Sequence, residues 1–220
     1  MNHTIASILS FSIVIPLIMG LVRLSRIRIS YQPFMIFLLL AFTSELVGFV
    51  SVKLIRSNYV STNIYTLVEA VVIAYIFYAW GFFREHKILY WTVLALYGVV
   101  WTLENLVYGD LENQICSYFI FLYSLTTVLL SINEINYLIA ERGNLFRNAK
   151  FLICIGFIII CVYSLITEGT QLIDPDNAPL SNKIFTFYVY INAFVNIVYA
   201  VAVYFMPERD DIYFSKRFNA

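Results

Sequence analysis

Pro33-Phe-Met-Ile-Phe-Leu-Leu-Leu-Ala-Phe-Thr-Ser-Glu-Leu-Val-Gly-Phe-Val-Ser-Val-Lys-Leu-Ile55 runs for 23 residues with only two charges, Glu45 and Lys53. A helix needs about 20 apolar residues to cross the hydrocarbon core of a bilayer. The apolar side chains follow one another without the strict alternation that a membrane barrel strand requires. This stretch is therefore expected to be a transmembrane helix, and it sets the frame for the rest of the chain.

Six more segments fit the same description, giving expected spans at 5–22, 33–55, 62–83, 88–107, 115–140, 150–167 and 183–206. The whole chain of 220 residues is 61% hydrophobic, 18% aromatic and 13% charged, against about 25% charged in a soluble domain. The formal net charge is zero, so no broad basic field exists to attract nucleic acid. The expected fold class is an all-α membrane protein of seven transmembrane helices. Residues 1–206 form one transmembrane domain and 207–220 a short cytoplasmic tail, which leaves no stretch here for a soluble catalytic or DNA-binding domain. The first span lacks a basic flank before it and is followed by Arg23, Arg26 and Arg28. That charge order is opposite to a signal peptide, so it is expected to be a retained helix, bent at Pro16.

Positive charge sets orientation. Eleven of the fourteen Lys and Arg residues fall in the first, third and fifth connections and the tail, while Lys53, Arg56 and Lys183 lie on the other side. The stretches Tyr108–Gln114 and Glu168–Asn182 are acidic and polar, which suits the outside. The N-terminus is expected out and the C-terminus in. The spacing suggests a 3+1+3 arrangement, with helix 4 between two triplets, and Asn63-Ile-Tyr-Thr and Lys183-Ile-Phe-Thr open helices 3 and 7 in similar words.

In layout the chain resembles the seven-helix transporter and opsin-like architectures, and the motifs of each are missing. The one Lys of helix 7, Lys183, sits at its first turn and not at the depth of a retinal Schiff base. Gln32-Pro33 reverses the Pro-Gln pair of the sugar-transporting PQ-loop proteins. The resemblance therefore implies a layout and no functional residue.

The two histidines, His3 and His86, fall outside the spans, which argues against a bis-histidine haem, a histidine-rich di-iron site or a histidine-held zinc. Cys116, Cys154 and Cys161 form no Cys-x-x-Cys; the last two are seven apart and share a helix face. No metal site and no cofactor are expected. Asp174-Pro175-Asp176-Asn177 lacks the glycine and distal glutamate of a calcium loop and is expected to be a turn.

Acids inside the spans carry the functional signal, because a charge at the bilayer centre costs roughly 2.5–3.5 kcal/mol even on the mild insertion scale. At 1.5 Å per residue, Glu69 lies ~10 Å and Glu45 ~15 Å below the outer surface, with Asn192 at ~13 Å, Glu104 at ~5 Å and Lys53 at ~3 Å. Tyr65 and Glu69 are four apart on one face, as are Asn192 and Asn196. Ser44 and Gly48 form a small-xxx-small pair that would admit a neighbouring helix, and Lys53 can reach toward water or Glu104. The common cause is a ligand-binding polar pocket open to the outside and walled by helices 2, 3, 4 and 7, with Glu69, Glu45, Asn192, Tyr65, Glu104 and Lys53 as its residues. Tyr59, Tyr118, Tyr188 and Tyr190 add an aromatic lining. Glu134, near the inner surface, is expected to be interfacial or to pair with Arg23 or Arg26. The structural alternative is that these polar groups only hydrogen-bond across helices and hold the bundle together.

The expected function is binding or transport of a small molecule or a proton, by a transporter or a ligand-sensing module rather than an enzyme. One alternative is a membrane-embedded lipid hydrolase using paired carboxylates. It resembles the lipid vinyl-ether hydrolases in size, although those are expected to use aspartates and no Asp lies within a span. The other is a non-catalytic subunit with a membrane protein partner. The expected location is the lipid bilayer of an inner membrane, and richness in Ile, Asn, Tyr and Phe points to an AT-rich bacterial genome.

Overall fold

A computed structural model describes residues 9–84, 87–112, 114–140, 145–173 and 178–207, with the side chains of 171, 172, 178–182 and 185 left aside. Seven α-helices are described: α1 (Val14–Arg23), α2 (Gln32–Ile55), α3 (Tyr59–Ala79), α4 (Lys87–Thr102), α5 (Ser117–Ala140), α6 (Ala149–Ile173) and α7 (Ala178–Tyr204). There is no strand among the described residues. Five helical segments, within α2, α3, α5, α6 and α7, are long and apolar enough to cross a membrane. Apolar side chains such as Ile18, Leu39, Leu129, Ile166 and Ile197 are exposed, while Asn63, Thr66, Ser124, Thr127, Ser131 and Glu134 are buried. That pattern, polar inside and apolar outside, suits a lipid surround.

Local chemistry sets the helix ends. A 3-10 turn over Phe11–Ile13 precedes α1. Pro16 has no N–H and crowds the carbonyl of Ser12, which suits this tightened turn just before it. Pro33 sits in the first turn of α2, where its missing N–H costs nothing. Arg56 ends α2 in the left-handed region at φ 61°, its N–H donating to Val52 O at 3.1 Å. Helix α4 runs on as a π-helix, Leu103–Val107.

The stretch Glu168–Asn182, expected to be a polar connection, is mostly helix. Residues 168–173 prolong α6 and 178–182 open α7, because Gly169 and Thr170 keep helical geometry and Thr170 bonds back to Ile166 O. The turn expected at 174–177 lies outside the described residues, as do His3, His86 and residues 208–220 of the tail.

The helices pack as a closed ring in the order α1, α2, α3, α5, α6, α7, with α4 outside it against α3 and α5. Two ends can be told apart. At one, Arg23 of α1 donates to Val203 O (2.7 Å), Tyr204 O (2.5 Å) and Met206 O (3.2 Å), capping the orphan carbonyls of α7. This is the basic end. At the other, Asn63 of α3 donates to Leu111 O (3.3 Å) and Gln114 O (2.8 Å) and accepts from Cys116 N (3.0 Å), pinning the α4–α5 connection.

The basic half of the ring is filled with aromatic side chains. Phe34 and Phe37 of α2, Phe77 of α3, Phe157 of α6 and Tyr199 of α7 meet at centroid distances of 5.3 Å (Phe34–Tyr199) to 6.3 Å (Phe77–Phe157). A Cβ on Gly156 would overlap the Tyr199 ring, so glycine there lets α7 close against α6. The Ser44–Gly48 pair does not work this way: no described atom of a neighbouring helix lies within 4 Å of where a Gly48 Cβ would stand. The 3-10 turn before α1 meets α2 through Phe11, against Phe42 and Phe49, and α1 itself meets it where Met35 lies over Gly20.

Candidate functional site

Above the aromatic plug, at mid-bundle, sits the Glu69 carboxylate. Tyr65, one turn earlier on α3, donates its hydroxyl to Glu69 Oε1 at 2.9 Å. Tyr123 of α5 donates to Glu69 Oε2 at 3.0 Å. Each carboxylate oxygen thus receives one phenol, and the pair of bonds ties α3 to α5. Glu45 of α2 and Tyr188 of α7 lie within electrostatic reach of Tyr65, and Tyr188 also senses Glu69, Cys161 and Glu168. Five ring helices, α2, α3, α5, α6 and α7, therefore contribute to one polar cluster.

Of the residues expected at a site, the structure joins Tyr65 to Glu69 by a hydrogen bond and leaves Glu45 within electrostatic reach of Tyr65. Tyr188 belongs with them, whereas Tyr59, Tyr118 and Tyr190 are exposed. Asn192 is half-buried and has no hydrogen-bond partner among the described residues. Its neighbour Asn196 is buried and donates to Ser12 Oγ at 2.8 Å, joining α7 to the start of α1.

Glu104 and Lys53 stand apart from the cluster. Glu104, in the π turn of α4, accepts from Tyr118 N at 2.9 Å and Phe119 N at 2.7 Å. A carboxylate on the first N–H groups of α5 is a helix cap, favoured by the helix dipole. Lys53 is exposed, with its ammonium 4.2 Å from the Phe49 ring centroid. Helix α4, expected as a wall of the pocket, lies outside the ring, and α5 and α6 take its place.

Glu134 lies inside the helical ring. It is fully buried and pairs with Lys150 of α6 at 3.1 Å. Lys150 also lies 5.3 Å from the Trp80 ring centroid, which brings the end of α3 to the same place. The charge is internal because α5 and α6 are closely packed here.

Sequence reasoning missed Tyr123, Asn63 and Glu168. Glu168 is buried on α6 and faces Ser117 and Glu104 at the end opposite the basic one. In the sequence Asn63 stands out only as part of an apparent repeat. Its counterpart in that repeat, Lys183, is exposed, so the two positions do different work. The signal that could have found Asn63 is a polar residue at the first turn of an otherwise apolar helix.

The family, the curated proteins and the solved structures compared with this chain include no match to it. The fold and cluster define it as an all-helical membrane protein with a half-buried, phenol-held carboxylate within its helical ring.

Proposed function

We propose that the protein binds and moves a small cationic or polyhydroxylated molecule, with Glu69 as the group that receives it. All seven helices cross the membrane in this reading, N-terminus out and C-terminus in. The single observation that carries it is the Glu69 carboxylate held by Tyr65 and Tyr123 from two helices, with Glu45 nearby. An idle acid at this depth is costly, and a carboxylate among aromatic rings is the kind of site that takes an organic cation. The aromatic plug beneath it closes the basic half, so the ligand enters from the opposite side. That is the outward-facing state of an alternating-access cycle. Lys53 and Glu104 belong to the rim and the scaffold, and Asn192, free of a described partner, is a further candidate contact.

The test is a thermal-shift and uptake screen of the purified, reconstituted protein against quaternary ammonium ions, polyamines and sugar alcohols. At least one class should stabilise the wild type and be taken up, and Glu69→Gln should abolish both while remaining monodisperse. Identical behaviour of wild type and Glu69→Gln toward every compound overturns the assignment. The approach of Glu45 and Glu69 to one phenol, Tyr65, favours a second reading, a lipid hydrolase with paired carboxylates. Turnover of a lipid extract by the wild type, seen by mass spectrometry, would select that reading.

A further inference from the structure

Serine and threonine in these helices usually return their hydroxyls to the backbone one turn earlier. Thr43 bonds to Leu39 O at 2.8 Å, Thr126 to Leu122 O at 2.8 Å and Ser164 to Ile160 O at 3.0 Å. Two serines of α5 do not. Ser124 Oγ and Ser131 Oγ are fully buried and meet no nitrogen or oxygen partner among the described residues; beside them stand only the weakly accepting thiols of Cys161 and Cys154. A third buried hydroxyl, that of Tyr199 on α7, is in the same condition. Leaving such a group unsatisfied costs roughly 1–3 kcal/mol, and buried polar groups of this kind are normally met by ordered water.

These three hydroxyls occupy one seam. Ser124, Thr127, Ser131 and Glu134 are spaced three, four and three apart, so they form a single stripe of α5. The stripe faces α6, with Ser124 and Thr127 toward Cys161 and Ser131 toward Cys154. Tyr199 lies within electrostatic reach of both thiols and of Glu69. The seam ends at the Glu134–Lys150 pair, and at its other end Tyr123 holds Glu69. From Tyr123 to Glu134 is eleven residues, or ~16 Å of helix, about half the hydrocarbon thickness.

We propose that the seam between α5, α6 and α7 holds a file of buried water, and that Ser124, Tyr199 and Ser131 with that water pass protons between Glu69 and Glu134. The inference rests on Glu69 as the working carboxylate and makes the proton its coupling ion. The balance is simple. The Glu69 carboxyl gives its proton to the first water or hydroxyl of the chain. Each member takes one proton and releases another, and the Glu134 carboxylate accepts the last, with Lys150 holding it at the basic end. No group is oxidised or reduced. Around Glu69 the facing groups include Tyr65, Tyr123, Cys161, Tyr188 and Tyr199, with Glu45 reached through Tyr65 and Tyr188; around Glu134 they include Lys150 and Cys154.

The full chain in liposomes enclosing a pH-sensitive dye tests the proposal, with a potassium gradient and valinomycin supplying the driving force. Wild-type vesicles should take up protons faster than protein-free ones. Tyr199→Phe and the double variant Ser124→Ala/Ser131→Ala remove hydroxyls and little else, and each should slow uptake by about tenfold or more. Each should keep the thermal shift given by whichever screened compound stabilises the wild type, whereas Glu69→Gln loses both. Wild-type flux equal to that of empty vesicles overturns the relay, and so does full flux in the hydroxyl variants. In either case an intact Glu69-dependent thermal shift leaves the binding assignment standing. Loss of that Glu69 dependence with flux retained refutes the binding assignment instead.

Discussion

Glu69 accepts one phenol on each oxygen, and the two bonds are not equivalent. Tyr65 reaches it along the same helix, so that bond orients the carboxylate and adds little to the tertiary fold. Tyr123 reaches it from α5 and joins two members of the ring. Interhelical hydrogen bonds in membrane bundles average about 0.6 kcal/mol and reach about 1.7 kcal/mol. Tyr123→Phe should therefore lower the thermal midpoint in detergent more than Tyr65→Phe does. An equal drop would mean that the two phenols share one structural role. The Tyr65–Glu69 pair was legible in the sequence because a spacing of four fixes it on a helix. Tyr123 was not. The chain has 17 tyrosines, and only the packing of α5 beside α3 selects this one.

At the scale of elements, the helices could be read from apolar run length, five of them long and apolar enough to cross a membrane, and their ends could not. Ser117, Tyr59 and Ala149 begin helices where capping and packing decide, and Gly169 stays helical against its propensity. The place of α4 was equally hidden. Its composition matches the ring helices, yet it packs outside them and ends in a π turn that delivers Glu104 to the start of α5. Asn63 secures the same region from α3, and Trp101 Nε1 of α4 donates to the Asn63 backbone O at 2.8 Å. Asn63→Ala keeps that last bond and removes the side-chain ones. The buried Cys116 N–H then loses its acceptor, a cost of roughly 1–3 kcal/mol before the two freed carbonyls are counted. The variant should be less stable and should expose the α4–α5 connection to protease while the basic end stays intact. Cleavage that starts at the basic end would show that the Arg23 cap is the weaker point.

For the whole molecule, cations expected to set orientation also take part in packing. The positive-inside rule treats charges near the ends of the spans as equal, but the structure does not. Arg84 and Arg147 are exposed, while Arg23 caps α7 and Lys150 pairs with Glu134 inside the ring. Orientation should therefore survive loss of one internal cation, because the exposed ones still bias the same end, whereas folding should not. The expected outcome is that a green fluorescent protein fused after Ala220 fluoresces and an alkaline phosphatase there is inactive, in the wild type and in Arg23→Ala alike. The Arg23→Ala fusion should give a smaller monodisperse fraction, since the terminal carbonyls of α7 lose their shared donor. A phosphatase fusion active in the wild type would reverse the bundle. The Glu134–Lys150 end would then face outward, the plug would close the outer side, and Glu69 would be reached from the cytoplasm.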